Sequence, residues 1–343
     1  MKLTRFLLML AVLTVLPAFA SGGSAGMIES LKLLSQTRFQ IPDRWQWHYF
    51  KNHDGASIRY GFVHAPDCKG TIILVPGFND AGETYFETIR EFVAHGFDVW
   101  QMDWRGQGGS QRYFSEKEKC HSLGTDHDEA DLAQFVALVR KETCRRPLIL
   151  IGHSFGGLVS LRYLHDHPGT VDMAVLAAPA LSLVLEDKAP TWMSRPVIET
   201  MVLLGFGQSY AKDQGDWYHM RGELTRPDLN SHDPERLALL EAWFDRKPEL
   251  RAGGATWAFA NEFQKTGLLV TQPQYLRDIH TPLLIGSALA DKIADPDLHK
   301  QVCLYLPDAT LITIPDARHC IFHESDEYRK IWMAAIFKFI AHH

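Results

Sequence analysis

Apolar residues along this chain gather into short unbroken runs separated by helix-length amphipathic stretches. Runs of that kind suit strands buried on both faces of a parallel sheet. They fall at Thr71–Val75, Phe97–Asp103, Leu148–Ile151, Met173–Leu176, Pro282–Gly286 and Thr310–Ile314. Between and after them the spacing predicts helices over Glu83–His95, from a Thr125/Asp126 cap to Glu142, over Gly157–His167, around Asp297–Leu306 and over Glu327–Ala341. Trp45–Tyr49 and Ile58–Val63 flank Asn52-His53-Asp54-Gly55, which reads as a hairpin turn. The alternation stops over residues 180–275, a stretch rich in proline and aromatic residues, and then resumes. One interruption in a strand–helix alternation predicts an α/β fold: a mostly parallel, doubly wound sheet with a helical cap insertion. Residues 45–179 then form the first part of the core, 180–275 the cap and 276–343 the second part. Residues 21–44 read as a leader, with a short amphipathic helix at Met27–Leu34. No internal repeat or low-complexity tract interrupts this order.

Composition changes the picture in three places. At 343 residues, 46% hydrophobic and 22% charged, the chain can bury a sizeable core, which excludes a disordered protein. Residues 1–20 differ in kind: Lys2 and Arg5 precede the apolar Phe6–Leu16, and Ala18-Phe19-Ala20 is an A-x-A cleavage signature. That is the layout of an export signal, too short for a comfortable membrane span. An uncleaved membrane anchor is the alternative. Losing Lys2 and Arg5 takes the formal charge from −6 to −8, so nucleic acid is not an expected partner. The expected location is the periplasm or the medium, with membrane association as a variant; the oligomeric state is left open. Five cysteines, Cys68, Cys120, Cys144, Cys303 and Cys320, show no C-x-x-C spacing, so no zinc or redox motif is expected.

The chemistry is concentrated after the third of the six buried runs. Leu148–Ile151 leads straight into Gly152-His153-Ser154-Phe155-Gly156 and then into a helical run. Strand, G-x-S-x-G, helix is the context of a nucleophile elbow, in which a strained turn projects the serine hydroxyl from the sheet. A serine hydroxyl needs an adjacent base that a carboxylate orients. Asp291 follows the next-to-last strand and His319 the last, so both stand at strand C-terminal ends, where open sheets place their ligands. Asp295 and His323 are the neighbouring alternatives, and Asp316 reads as loop structure. Two backbone N–H groups are expected to hold an oxyanion: Phe155, inside the elbow, and Phe78, in the turn after Thr71–Val75. The alternative for that second turn is an ordinary tight turn. Asp103–Ser110 reads as a turn network bracing the elbow, and His153 as packing beside the serine. No metal or organic cofactor is required by such a set.

Taken together, Pro76-Gly77-Phe78, Asp103-Trp104-Arg105-Gly106-Gln107-Gly108, Gly152-His153-Ser154-Phe155-Gly156-Gly157, Asp291 and Ala317-Arg318-His319 resemble the α/β-hydrolase superfamily. Within it they are similar to the monoacylglycerol lipase and bacterial lysophospholipase branch, S33-like serine hydrolases. Ile58-Arg59-Tyr60-Gly61 and Arg251-Ala252-Gly253-Gly254-Ala255-Thr256-Trp257 extend the likeness over roughly residues 45–341. The chain departs from it at Pro76, where monoacylglycerol lipases usually carry His, and in having an export signal. The resemblance implies a Ser154–His319–Asp291 mechanism on a small lipid ester. It also implies that Thr71–Val75 and Leu148–Ile151 lie side by side, so that Cys68 and Cys144, which precede them, are candidates for a disulfide. In the cap, the apolar stretch Trp192–Gly207 has three readings: cap core, the wall of an acyl tunnel, or a surface for peripheral membrane contact. Two rival functions stand beside the ester reading. One is a peptidase or amidase using an acidic cap residue, with Glu223, Glu241 and Glu262 as candidates. The other is a silent, hydrolase-like binding protein.

Overall fold

The structure, a computed structural model, describes residues 22–143, 146–183, 191–223 and 225–343. The expected export signal and Cys144 lie outside these residues, and Cys68 carries a free thiol. Among the described residues one sheet is formed by β1 (Gln46–Lys51), β2 (Ser57–Val63), β3 (Gly70–Val75), β4 (Phe97–Met102), β5 (Leu148–His153), β6 (Met173–Ala177), β7 (Leu283–Ala288) and β8 (Ala309–Ile314). Their spatial order is β1-β2-β4-β3-β5-β6-β7-β8. Strand β2 pairs antiparallel with β1 and β4, and all other pairings are parallel. Strand β3 therefore lies between β4 and β5, as the resemblance implied.

Because successive side chains on a strand point to opposite faces, the apolar runs feed two cores. Ile73, Val75, Leu148 and Leu150 face α3 (Thr125–Glu142) and α4 (Phe155–Asp166), meeting Leu132, Phe135, Leu158 and Leu161. Ile72, Leu74, Ile149 and Ile151 face the other way, toward Ile89 and Phe92 of α2 (Phe86–Ala94) and Trp332 and Ile336 of the terminal helix Asp326–His342. Helices on both faces of a mostly parallel sheet make this the doubly wound α/β architecture that the pattern predicts.

Several boundaries move. Helix α3 has Gly124 in the capping place, with Thr125 as its first residue. The Thr125 hydroxyl is instead engaged by Thr266 and by Arg162 Nη1 at 2.8 Å, so a tertiary contact takes the oxygen that a cap would use. Helix α4 begins at Phe155, two residues before the expected start, and α1 runs Gly22–Leu34. Between β6 and β7 the chain folds into helices, chiefly α5 (Thr191–Leu203), Leu239–Arg246 and Trp257–Val270. Helix α5 packs on Trp257–Val270 with Ile198, Met201 and Val202 half-buried. Val197, Leu203, Leu204 and Phe206 are exposed, Leu203 at 86%. That stretch thus packs one side on the cap and turns an apolar face outward. Among the described residues, no helix is long and apolar enough to cross a membrane.

A buried charge network frames the sheet top. Arg59 donates from Nε to Asp103 at 2.6 Å and from Nη1 and Nη2 to Glu83 at 2.9 and 2.7 Å. Lys247 of the cap region reaches Glu83 at 3.1 Å, and Asp103 also accepts from the N–H groups of Gly82 and Gly109 at 3.0 and 2.8 Å. Burial disfavours the charge on Glu83, but Arg59 and then Lys247 outweigh it and hold the carboxyl below the usual carboxylate range. Asp103 therefore braces turns, as its sequence context suggested. Arg59→Met would leave two buried carboxylates short of a partner, and we expect a loss of about 3–5 kcal/mol. Urea unfolding at neutral pH measures this; a change below about 1 kcal/mol, the scale of an exposed pair, would contradict the network's role.

Candidate active site

Strand β5 ends at His153, and Ser154 sits at the turn into α4 with φ 53° and ψ −115°. A non-glycine residue with such angles is strained, and the surroundings must over-determine it. They do so by close approach. A Cβ on Gly152 would fall 2.6 Å from the Gly156 oxygen, and one on Gly156 2.5 Å from the Pro76 oxygen. Neither position admits a side chain, so β3, β5 and α4 meet at backbone distance.

Ser154 Oγ lies 2.8 Å from His319 Nε2, and His319 Nδ1 lies 2.8 Å from Asp291 Oδ2. A carboxylate only accepts, so Nδ1 carries the proton and Nε2 is left to accept from the serine hydroxyl. Asp291 Oδ1 accepts from the N–H groups of Ile293 and Ala294 at 2.7 and 3.0 Å, which fixes the carboxylate and leaves Oδ2 for the imidazole. All three side chains are buried, at 7%, 4% and 6% exposure for Ser154, His319 and Asp291. The structure thus brings these three together from the ends of β5, β7 and β8. Asp295 is elsewhere employed: its Oδ1 accepts from Asp297 and Leu298 N–H at 3.0 and 3.4 Å and starts the helix Pro296–Cys303. His323 Nε2 donates to the Thr84 oxygen at 3.1 Å, and Asp316 is an exposed turn residue with φ 58°.

The two backbone N–H groups singled out from the sequence flank this relay. Phe155 opens α4, and Phe78 lies in the turn after β3, whose Gly77 packs against His153 and Ser154. Among the described residues neither N–H has a protein acceptor. The Phe78 and Phe155 rings both meet Phe259 of the cap region, with centroids 4.7 and 5.2 Å apart. Apolar walls therefore stand beside the serine.

His153 has a role its sequence context did not specify. Its Nε2 faces the His319 carbonyl oxygen at 3.4 Å, which can only accept, so Nε2 carries the proton. Nδ1 then accepts from the Tyr85 hydroxyl at 2.9 Å. Burial, then the neighbouring His319 and His323, keep its pKa well below the ordinary histidine value. His153 is a neutral strut with its lone pair occupied. Tyr85 was missed from sequence, because nothing local marks a residue whose partner lies far along the chain.

Away from this relay, His53, Asp54 and His127 offer ligand atoms within 4.8 Å of one another, the metal-capable cluster among the described residues. It lies on the β1–β2 turn and the first turn of α3, and Arg105 Nη1 already donates to Asp54 at 2.8 Å. A guanidinium on the shared carboxylate opposes a cation there.

Comparisons with known proteins agree with the geometry. The family model described as serine aminopeptidase, S33, matches residues 66–326. The chain is 26% identical over 302 residues to lysophospholipase L2 of Escherichia coli strain K12, covering 86% of this chain and 87% of that protein. It is 25% identical to a monoacylglycerol lipase of Mycolicibacterium smegmatis, with 82% and 92% coverage. Among solved structures, a soluble variant of Saccharomyces cerevisiae monoglyceride lipase bound to a substrate analog superposes with TM-score 0.66 at 21% identity, covering 87% and 96%. A carboxyl esterase from Bacillus coagulans gives 0.70 at 16%, covering 87% and 98%. These two likenesses concern the fold.

The His153 environment yields a pH prediction. A histidine whose folded pKa is depressed binds fewer protons folded than unfolded, so its contribution is intact above the unfolded value, about 6.5, and stability falls as pH drops below it. His323, also depressed by burial, acts in the same direction. Denaturant unfolding of wild type and His153→Gln between pH 7.5 and 5.0 should show a shallower acid decline in the variant, by about 1.4 kcal/mol per pH unit. Equal slopes would mean that His153 takes up its proton as readily in the folded protein as in the unfolded chain.

Proposed function

The chain belongs to the serine aminopeptidase S33 family of α/β-hydrolases, and from that premise we propose a serine hydrolase that cleaves carboxylic esters of lipids, lysophospholipids or monoacylglycerols. The observation carrying this reading is the Ser154–His319–Asp291 relay, 2.8 Å at each link, beneath a serine held at left-handed φ. In the reaction we infer, Ser154 Oγ attacks the ester carbonyl carbon while His319 Nε2 takes the hydroxyl proton. The imidazolium is stabilised by Asp291, and the carbonyl oxygen, now an oxyanion, is held by the Phe155 and Phe78 N–H groups. Collapse expels the alcohol, which receives the proton from His319 and leaves an acyl-serine. Water, deprotonated by the same nitrogen, then attacks the acyl carbon and releases the fatty acid and Ser154.

The names of the relatives favour a lipid ester, and so do the aromatic walls around Phe259 and the apolar outer face of Val197, Leu203, Leu204 and Phe206. That face is a candidate for peripheral contact with a lipid surface. The peptidase reading needs an unengaged acid in the cap. Glu241 instead pairs with Arg221 at 3.0 Å, Glu262 with Lys265 at 2.9 Å and Glu223 with Arg226 at 3.8 Å. A silent binding protein has no use for an assembled relay. The charged and apolar halves of residues 1–20 support an exported enzyme.

Fatty-acid release from lysophosphatidylcholine, beside monoacylglycerol, a short p-nitrophenyl ester and an aminoacyl anilide, tests the proposal. Turnover should favour the lipid esters, vanish in a folded Ser154→Ala and fall about 10⁴-fold in kcat in Asp291→Asn. Cleavage of the anilide alone would overturn the lipid assignment, and turnover surviving Ser154→Ala would overturn the mechanism.

A further inference from the structure

The turn between β3 and α2 must present the Phe78 N–H to the reacting carbonyl, and it is held by partners that no local pattern reveals. Pro76 stands where related lipases usually carry histidine, and its carbonyl oxygen accepts from Trp104 Nε1 at 2.8 Å. Three residues on, Asn79 occupies the left-handed region with φ 55° and is 1% exposed. Its backbone N–H donates to Gln107 Oε1, and its side-chain Nδ2 donates to the Gly253 oxygen at 2.6 Å. Gln107 is buried at 2% exposure and comes from the loop after β4.

Gly253 is itself immobilised. Its N–H donates to the Glu118 oxygen at 2.6 Å, the next N–H to the Gly215 oxygen at 2.7 Å, and a Cβ added to it would lie 2.5 Å from that Gly215 oxygen. The carbonyl that receives Asn79 is therefore a fixed point at the base of the cap. The peptide groups on either side of the one that carries the Phe78 N–H are thus pinned, at the Pro76 carbonyl by Trp104 and at the Asn79 N–H by Gln107, so a displacement of this turn breaks a buried hydrogen bond.

We propose that Asn79 and Gln107 are positioning residues for the oxyanion: together they orient the Phe78 N–H, and the Asn79 side chain couples that orientation to the cap segment around Gly253. The proposal rests on the ester-hydrolase reading and names how that site is tuned. It makes the cap part of transition-state stabilisation as well as of substrate choice. Whatever shifts the Gly253 segment shifts the oxyanion donor with it. Asn79 is suited to this because it tolerates positive φ and carries a donor of the right length.

Two variants separate the strands of the argument. Asn79→Gly keeps the left-handed turn and the N–H bonded to Gln107 but removes the bond to Gly253. Gln107→Met fills the same space and leaves the Asn79 N–H without an acceptor. Each is assayed on the best ester, with rates divided by the number of active sites titrated to completion with a fluorophosphonate. A trifluoromethyl ketone analogue, which becomes a tetrahedral adduct, is measured alongside. Since removal of a whole oxyanion donor costs about 10²–10³ in kcat, misorientation of one should lower kcat per site by about 10- to 100-fold. KM should stay within about threefold, and affinity for the ketone should fall in step with kcat/KM. Unchanged kcat per site, or a loss explained wholly by fewer titratable sites, would overturn the positioning role. Ser154→Ala in the same assay separates the two readings: if it is inactive while both variants retain wild-type kcat, only the positioning role fails, whereas turnover that survives Ser154→Ala removes the basis of both.

Discussion

The backbone of Ser154 is the constraint from which the rest of the site follows. Its left-handed conformation costs on the order of 1–3 kcal/mol and persists only because the peptide groups around it are tied on several sides. The Ser154 N–H donates to the Ala177 oxygen at 3.0 Å, and its own carbonyl accepts from Leu158 and Ala180 at 3.1 and 3.0 Å. The first bond belongs to the end of β6, the second to α4 and the third to the chain leaving β6. Relaxing φ would break ladder, helix and loop together. The same geometry sets the hydroxyl 2.8 Å from His319 and leaves the Phe155 N–H at the head of a helix, where the partial positive charge of the helix end favours a developing anion.

Around that point the protein places its charges with a division of labour. Four ionic groups, Arg59, Glu83, Asp103 and Lys247, are spent on holding turns together, with the carboxylates fully enclosed. Removing such groups from water is costly, and their attraction offsets that cost only when geometry is good and the remaining lone pairs are filled. Here they are filled, by Gly82 and Gly109 N–H on Asp103. What the arrangement secures is register between β2, the turn after β3, the loop after β4 and the cap at Lys247. The walls near the serine are by contrast aromatic, formed by Phe78, Phe155 and Phe259.

What the sequence made legible is what repeats or stands in fixed order. Buried strands announce themselves as apolar runs, and the doubly wound sheet follows from their alternation with helices. Ser154, Asp291 and His319 could be singled out because each follows a recognisable strand. The hidden part is non-local. Nothing in Asp103-Trp104-Arg105 says that Asp103 is met by Arg59 from 44 residues away, or that Tyr85 meets His153 across 68. The apolar stretch of the cap kept three readings open for a related reason. Apolar residues at helical spacing predict a buried face, but Val197, Leu203, Leu204 and Phe206 have no facing element in the described chain to bury them. Hydrophobicity signals that a surface avoids water, and only the fold says what covers it.

The loop from Asp291 to Asp295 shows how a residual ambiguity is settled by local rules. Two carboxylates four residues apart both follow β7, and the sequence alone offers either to the histidine. Asp295, however, precedes Pro296, and proline at the first position of a helix makes the preceding Asp a natural cap. Its Oδ1 is taken by the Asp297 and Leu298 N–H groups, so this oxygen serves the helix and not the base. Asp291 makes the same kind of turn one step earlier, with Ile293 and Ala294 as donors, but there the second oxygen points to His319. Both aspartates thus bind the backbone two and three residues ahead. What separates them is which one the strand end delivers to the sheet top, and β7 ends at Ala288, three residues before Asp291. The cap on one helix and the carboxylate on the imidazole are consecutive consequences of one short loop.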